Sequence, residues 1–310
     1  MVLPSGPLAR DLSTDGSLAV APQSEFSRTL SALIELGKPG VGGLVIATSL
    51  CGALTAPGGI GLGRLLLSLF GTSCVVASAN GLNMVLERDS DRLMRRTQVR
   101  PLPTGRLSVE AALAFCVGAA SVGLVLLFAF VGPLAGWLTF AALLSYVALY
   151  TPLKRVTPLA LFVGAVPGAL PPLIGWASAT GTLGTLGLLE FSLLYVWQLP
   201  HFLAIAIFRR EEYARAGMRV LPVVHGVRRT QIEIALYSLL LVGVSLLPVG
   251  LGLAGLGYAV VALASGLGFL ALATAGLSIR DERRWARRVF FASMPYLVVM
   301  LGSLAGFAAH

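Results

Sequence analysis

The amino-acid sequence predicts an all-α integral membrane protein with nine transmembrane helices. Of its 310 residues, 56% are hydrophobic and only 12% are charged, whereas a soluble domain carries about a quarter charged residues. The mean hydropathy of +0.85 agrees with this composition. Long apolar runs and a one-sided distribution of basic residues point the same way, so an ordinary soluble enzyme is excluded.

Nine apolar runs are each close to the length of about 20 residues that a helix needs to cross a bilayer. The fifth run contains Pro167, Pro171 and Pro172, which predict a kink or a break that neighbouring helices tolerate in a membrane. The predicted spans are residues 39–57, 64–86, 108–131, 134–152, 157–177, 184–208, 231–252, 257–278 and 289–308.

Basic residues alternate between the loops that separate these spans. Of the 23 Lys and Arg residues, 22 fall on one side and only Arg64 falls on the other. By the positive-inside rule this predicts a cytosolic amino terminus and a periplasmic carboxy terminus in a bacterial inner membrane. Topology and anionic lipid therefore explain the net charge of +9, and no nucleic-acid partner is expected.

The amino-terminal segment differs in composition from the rest of the chain. Residues 1–30 carry Pro, Ser and Gly together with acidic side chains, and they match neither a secretory signal nor a mitochondrial presequence. We therefore expect a disordered cytosolic tail over residues 1–30 and a single membrane domain over residues 31–310.

Acidic residues are clustered where the second span meets the cytosol. On a continuous helix, Asn83, Glu87 and Asp91 have the spacing i, i+4, i+8 and form one polar stripe about 12 Å long. Asp89 would point elsewhere, toward Arg92 or Arg96. Such a stripe suits Mg²⁺, which takes one or two carboxylates together with substrate phosphates. The alternative is a solvated helix end with Glu–Arg pairs.

Three loops on the predicted cytosolic face carry groups that bind diphosphate. The first loop follows the acidic stripe, and the other two follow the fourth and the sixth spans. Arginine forks bind phosphate oxygens, and a metal ion bridges carboxylate to phosphate. Together the loops favour a magnesium–diphosphate site over the solvated helix end. Their candidate residues are Arg96, Arg100, Tyr150, Lys154, Arg155, Glu211 and Glu212.

Three blocks of sequence carry a resemblance to a known family. They are NMVLERDSDRLMRRTQVRPLPTG (83–105), the stretch that begins YTPLKR (150–181) and the stretch that begins YVWQLPHF (195–226). In this order they resemble the UbiA superfamily of intramembrane prenyltransferases, and most of all its protoheme IX farnesyltransferase (heme O synthase) family. The resemblance implies nine helices around a cavity that opens toward cytosol and bilayer.

The resemblance also implies a reaction and its partners. A farnesyl group would pass from farnesyl diphosphate to a vinyl group of heme B, with addition of water, to give heme O. Besides these substrates and membrane lipid, heme A synthase or terminal oxidase assembly proteins are the implied partners. Two alternatives stay open, namely prenyl transfer to an aromatic quinone precursor and, from another class, a membrane transporter.

The implied site residues are the polar groups already described. Asn83, Glu87, Asp91 and Glu212 would be catalytic, and the three carboxylates would hold Mg²⁺. The basic residues, with Glu211 and Tyr150, would contact the prenyl diphosphate. His201, in the sixth span, would contact heme iron, make an interhelical hydrogen bond or act in catalysis, and Gln198 one turn earlier could pair with it.

Two positions depart from the family pattern. Glu87 stands where many members have Asp, which keeps the charge but lengthens the side chain. Ala160 stands close to where an Asn is expected. If that Asn contacts diphosphate in relatives, this chain lacks one such contact.

Overall fold

The computed structural model describes residues 25–307, and this part of the chain forms helices and turns without a β-strand. Two π-helical segments, Leu127–Val131 and Ser145–Tyr150, continue α4 and α5. The α-helices are α1 (Glu25–Gly37), α2 (Pro39–Leu54), α3 (Leu62–Asp91), α4 (Val109–Leu126), α5 (Pro133–Leu144), α6 (Thr151–Leu153), α7 (Ala160–Thr180), α8 (Thr185–Phe208), α9 (Arg210–Arg215), α10 (Leu221–Val224), α11 (Gly226–Gly250), α12 (Leu256–Ala275) and α13 (Glu282–Phe307).

Eight helical segments in the described chain are long and apolar enough to cross a membrane. A ninth arises if α1 and α2 form one span, with a bend of 48° between them. Each predicted span overlaps one of these helices, so the prediction of an all-α, multi-pass membrane protein is confirmed.

The first helix begins earlier than the sequence predicts. Residues 25–30 were expected to be part of a disordered tail, but α1 starts at Glu25; residues 1–24 lie outside the described residues. Ala32 and Leu36 of α1 are fully buried and belong to the same apolar cluster as Met84 of α3 and Cys116 of α4. This packing explains why the segment is helical and corrects the predicted boundary of the tail.

Several spans extend beyond their apolar core into charged sequence. The helix α3 continues to Asp91, and α13 begins at Glu282, seven residues before the predicted span. Arg and Glu have good helix propensity, and long basic side chains reach the interface while the backbone stays helical. Residues 283–288, which the sequence places in a loop, therefore form the first turns of a transmembrane helix.

The helix α7 is continuous through Pro167, Pro171 and Pro172, so the break that these prolines suggest is not found. It packs backbone to backbone against α2. A methyl group added at Gly175 would lie 1.8 Å from the carbonyl oxygen of Ser49, and one at Gly52 would lie 1.9 Å from that of Pro172. Small residues permit this close approach in a membrane.

The centre of the bundle is formed by α7 and α8, which are its most buried helices. The helix α7 packs against α2, α5 and α8, and α8 packs against α11 and α13. At one end of the bundle, the guanidinium of Arg64 donates hydrogen bonds to the carbonyl oxygen of Val131. The start of α3 therefore meets the π-helical segment that continues α4, and the acidic stripe of α3 lies at the opposite end of the bundle.

Candidate active site

A cavity of about 990 Å³ lies among α2, α3, α5, α7, α8 and α13. It contains most of the predicted site residues. Arg155 and Glu211 are not among its lining residues, and Glu211 is exposed. The predicted residues that do line it are Asn83, Glu87, Asp91, Arg96, Arg100, Tyr150, Lys154, His201 and Glu212.

The polar stripe of α3 faces this cavity as its spacing predicts. Asn83, Glu87 and Asp91 are all buried on one face of the helix. The amide of Asn83 donates to Oγ1 of Thr151 at 3.1 Å, which joins α3 to α6. Asp89 points away, is 76% exposed and has Arg88 and Arg92 nearby. The stripe is therefore separate from the solvated Glu–Arg pairs that were its alternative explanation.

Each carboxylate of the stripe contacts a basic residue from a loop. Nη1 of Arg100 donates to Oδ2 of Asp91 at 2.6 Å, and Nζ of Lys154 forms an ion pair with Oε1 of Glu87. Oδ1 of Asp91 is buried and has no hydrogen-bond partner among residues 25–307. Basic and acidic groups thus alternate in the cluster, and Oδ1 of Asp91 remains free for a further ligand.

The loop after α8 contributes the third carboxylate. The helix α8 ends at Phe208, and α9 begins at Arg210 after a change of direction at Arg209. Nη1 of Arg209 contacts Oε2 of Glu212 at 3.3 Å. Within residues 25–307, no three acidic, His or Cys side chains are grouped closely enough to hold a metal ion by themselves. Glu212 therefore shares the cavity with the stripe but not its immediate cluster.

The segment between α5 and α7 contributes the ring of Tyr150 and two basic residues, Lys154 and Arg155, which occupy different positions. Nζ of Lys154 lies 5.1 Å from the centre of the Tyr150 ring, inside the cavity. Arg155 instead donates to Oγ of Ser90 at 3.0 Å and braces α3 from outside. A methyl group at Gly164 would come within 2.4 Å of the Tyr150 ring, so this glycine makes room for it.

His201 belongs to an aromatic wall on the other side of the cavity. Its ring stacks on Trp197, with centres 4.7 Å apart, and lies 4.8 Å from Phe290 of α13. Nδ1 of His201 is hydrogen bonded to Oγ of Ser293 at 2.7 Å. The interhelical hydrogen bond that the sequence allowed is therefore present, and Nε2 is left for another partner.

The expected pairing of Gln198 with His201 is wrong. Its amide nitrogen donates to the backbone carbonyls of Ala165 and Leu194, each at 3.1 Å. Gly168 explains this position, because a methyl group added there would lie only 2.1 Å from Oε1 of Gln198. The glycine lets Gln198 lie against α7 rather than turn toward the histidine.

Sequence reasoning missed several residues of the cavity wall. Lys38 lies between α1 and α2 and is the only described non-glycine residue with positive φ, at 52°; such strain is often found at functional sites. Arg283 and Arg287 join the wall from α13. The sequence would have indicated these two arginines only if the last helix had been extended into the charged residues before its apolar run. Partial burial raises the pKa of the Tyr213 phenol, which also lines the cavity.

Ala160 and Glu190 are two further buried residues with different surroundings. Ala160, at a position close to the expected Asn, is buried in the cavity wall and offers no polar group. Glu190 is fully buried far from the cavity cluster and accepts a hydrogen bond from Thr55 at 2.9 Å, with Cys51 3.6 Å away. This hydrogen bond joins α8 to the end of α2.

The fold is similar to the folds of several solved structures, two of which are compared with it below. A structure of digeranylgeranylglyceryl phosphate synthase aligns with a TM-score of 0.77 at 19% identity, over 90% of this chain and 98% of the other. A UbiA homologue from Archaeoglobus fulgidus, bound to GPP and Mg²⁺, aligns with a TM-score of 0.62 at 17% identity, over 91% and 99%. At these identities the likeness establishes the fold.

Sequence comparison establishes the family. Residues 44–294 match the UbiA prenyltransferase family, and the chain therefore belongs to that family. Among its relatives is the protoheme IX farnesyltransferase of Anaeromyxobacter dehalogenans, 46% identical over 89% of this chain and 93% of the relative. The protein of the same name from Sorangium cellulosum is 50% identical over 78% of this chain and 86% of the relative.

Proposed function

We propose that this chain transfers the farnesyl group of farnesyl diphosphate to a vinyl group of heme B, with addition of water, to give heme O. The observation that carries the proposal is one cavity with two chemically distinct ends. One end pairs carboxylates with Lys154 and Arg100, and the other presents His201 within an aromatic wall. The names of relatives that are 46% and 50% identical support heme as the acceptor.

The carboxylates of the diphosphate end fit Mg²⁺. Glu87 and Asp91 lie one helical turn apart, and Oδ1 of Asp91 is buried without a hydrogen-bond partner in the described part of the chain. Two carboxylates completed by substrate phosphates are a usual magnesium environment. We assign Glu87 and Asp91 to the metal, with Asn83 and Glu212 at the margin of the site. When bound, Mg²⁺ would neutralise the charge that develops on the departing diphosphate.

The charges of the cavity suit a diphosphate anion. Eight Lys and Arg side chains line it, against three carboxylates. Arg100 and Lys154 contact Asp91 and Glu87 in the structure described here. With a cation held by those carboxylates, the two basic groups would be available for phosphate oxygens. With Arg96 they stabilise the negative charge as the C–O bond of the prenyl diphosphate breaks.

The rest of the cavity suits an allylic cation and an apolar acceptor. Aromatic faces, here Tyr150 and Trp197, attract a cation, and the bundle keeps bulk water away from it. The C–O bond electrons leave with diphosphate, and the terminal vinyl carbon of heme forms the new C–C bond. A water oxygen then adds to the carbon next to the ring and loses a proton. His201 would contact the heme iron through Nε2.

The proposal includes location and partners. The alternation of basic loops supports a bacterial inner membrane with the amino terminus in the cytosol and the carboxy terminus in the periplasm. Both substrates are amphiphilic, so they would reach the cavity from the lipid. Heme A synthase or terminal oxidase assembly proteins are the expected recipients of heme O.

Mass spectrometry of the hemes tests this proposal. The purified protein in lipid nanodiscs is supplied with reduced heme B, farnesyl diphosphate and Mg²⁺. The expected product is heme that has gained one farnesyl group and one water, and its formation should stop when EDTA is added. A parallel reaction contains 4-hydroxybenzoate in place of heme B. Unmodified heme in the presence of folded protein, together with prenyl transfer to 4-hydroxybenzoate in the parallel reaction, would favour the quinone-precursor alternative.

A further inference from the structure

Two arginines at the start of α13 line the same cavity as His201. Arg283 and Arg287 are spaced i, i+4 and therefore lie on one face of the helix, one turn apart. No carboxylate of the described residues lies within ion-pair distance of either one. By contrast, Arg100, Lys154 and Arg209 are each paired with an acid. The two α13 arginines are thus available for an anionic ligand.

A row of aromatic rings connects Arg287 to the histidine. The guanidinium of Arg287 lies 5.9 Å from the centre of the Phe208 ring, and Phe208 lies 5.7 Å from Phe290. Phe290 in turn lies 4.8 Å from His201. The row places apolar ring surface between a guanidinium and an imidazole, which suits a large aromatic ligand that carries negative charge at one edge.

The spacing along α13 suits the dimensions of a porphyrin. Ser293, which holds Nδ1 of His201, follows Arg287 by six residues and hence by about 9 Å along the helix axis. That length is comparable with the reach from the centre of a porphyrin to the carboxylates of its propionate side chains. Both propionates lie at one edge of heme B, and Arg283 and Arg287 lie one turn apart on one face of α13.

We propose that Arg283 and Arg287 bind the two propionate carboxylates of the porphyrin acceptor and thereby fix which edge of the ring enters the cavity. The inference rests on the proposed function, because it names the groups that orient its acceptor. Arginine forms paired, charge-assisted hydrogen bonds with carboxylates. With the propionates held at the mouth, the vinyl-bearing edge is turned into the cavity, where transfer takes place.

Neighbouring arginines supply a matched control. Arg284 and Arg288 have the same i, i+4 spacing on the same helix and are exposed, but they do not line the cavity. The double variant Arg283→Gln/Arg287→Gln should therefore weaken heme binding, and Arg284→Gln/Arg288→Gln should leave it unchanged. Both variants remove two positive charges from the same face of the membrane, so a nonspecific charge effect would appear in both.

The experiment titrates heme B into the full-length protein in nanodiscs of zwitterionic lipid and follows the Soret band, with empty nanodiscs as the blank. Heme B dimethyl ester, whose propionates carry no charge, is titrated in parallel. We expect binding of heme B to weaken at least about tenfold in the Arg283→Gln/Arg287→Gln variant. We expect a similar loss for the ester with the unchanged protein, and no further loss when variant and ester are combined.

The outcomes separate this inference from the function on which it rests. If heme B and its ester bind equally well, or if the variant binds heme B normally, the inference is wrong and the proposed function stands. If heme B does not bind the unchanged protein above the blank, both fail. If the variant differs from the unchanged protein only in nanodiscs with anionic lipid, the arginines bind lipid headgroups and the inference is again wrong.

Discussion

Substitution of Asp91 by Asn tests the proposed role of the α3 stripe most sharply. The side chain is fully buried, and Oδ2 accepts a 2.6 Å hydrogen bond from Arg100, itself only 13% exposed. Asn keeps the shape and one acceptor oxygen but loses the charge. Replacing a charge-assisted hydrogen bond by a weaker one should cost roughly 1.5–3 kcal/mol of stability. The same change removes a metal ligand, and we expect activity to fall by at least about a hundredfold.

The charge of the cavity makes a further, less obvious prediction for this variant. Because cationic side chains already outnumber carboxylates in the wall, the loss of one carboxylate makes the cavity more positive. Binding of the prenyl diphosphate without Mg²⁺ should therefore be no weaker than in the unchanged protein, although turnover is lost. Binding of a non-hydrolysable farnesyl diphosphate analogue and single-turnover product formation, measured with and without Mg²⁺, separate the two effects.

Asp89→Asn is the matched control, because it makes the same chemical change two residues earlier on the same helix. Asp89 is 76% exposed and contacts only surface arginines, and exposed ion pairs contribute little stability. We expect activity and thermal stability close to those of the unchanged protein. The reasoning is refuted if Asp91→Asn retains more than a tenth of the activity with an unchanged dependence on Mg²⁺, or if both variants lose activity equally.

Two glycine substitutions test the packing that positions the site. Gly175→Ala should destabilise the protein by about 1–3 kcal/mol in thermal unfolding, because its methyl group would meet the Ser49 carbonyl; Gly243→Ala, with open space around it, should not. Equal unfolding temperatures would contradict the close approach of α2 and α7. Gly164→Ala should push Tyr150 out of position. We expect this variant to lower kcat/KM for farnesyl diphosphate while it leaves the unfolding temperature nearly unchanged. A stability loss with normal kinetics would argue against a role for Tyr150.

The architecture was largely predictable because the bilayer imposes simple rules on sequence. Span length was enough to predict the positions and order of the membrane spans, of which the described chain has eight, or nine if α1 and α2 form one span. The rules were less useful at helix ends, where charged residues stay helical. The start of α13 was therefore placed seven residues too late. Residues 25–30, the beginning of α1, were assigned to the tail, because the burial of this helix depends on Met84 and Cys116 from other helices.

The site was predictable where one helix determines it and less so where several meet. The spacing of Asn83, Glu87 and Asp91 is a property of α3 alone, so their common face followed from the sequence. The partners of Gln198 depend on Gly168 in another helix, and the position of Arg287 depends on how α13 packs against α8. No local pattern carries that information.

A competition between acceptors tests the central claim most directly. Limiting farnesyl diphosphate, labelled in its farnesyl group, is given to the protein in nanodiscs with Mg²⁺ and equal concentrations of reduced heme B and 4-hydroxybenzoate. We predict that the label passes to heme, in a product that also contains one added water, and that Asp91→Asn abolishes the transfer. Label that accumulates on the aromatic acid while heme stays unmodified would contradict the proposed function.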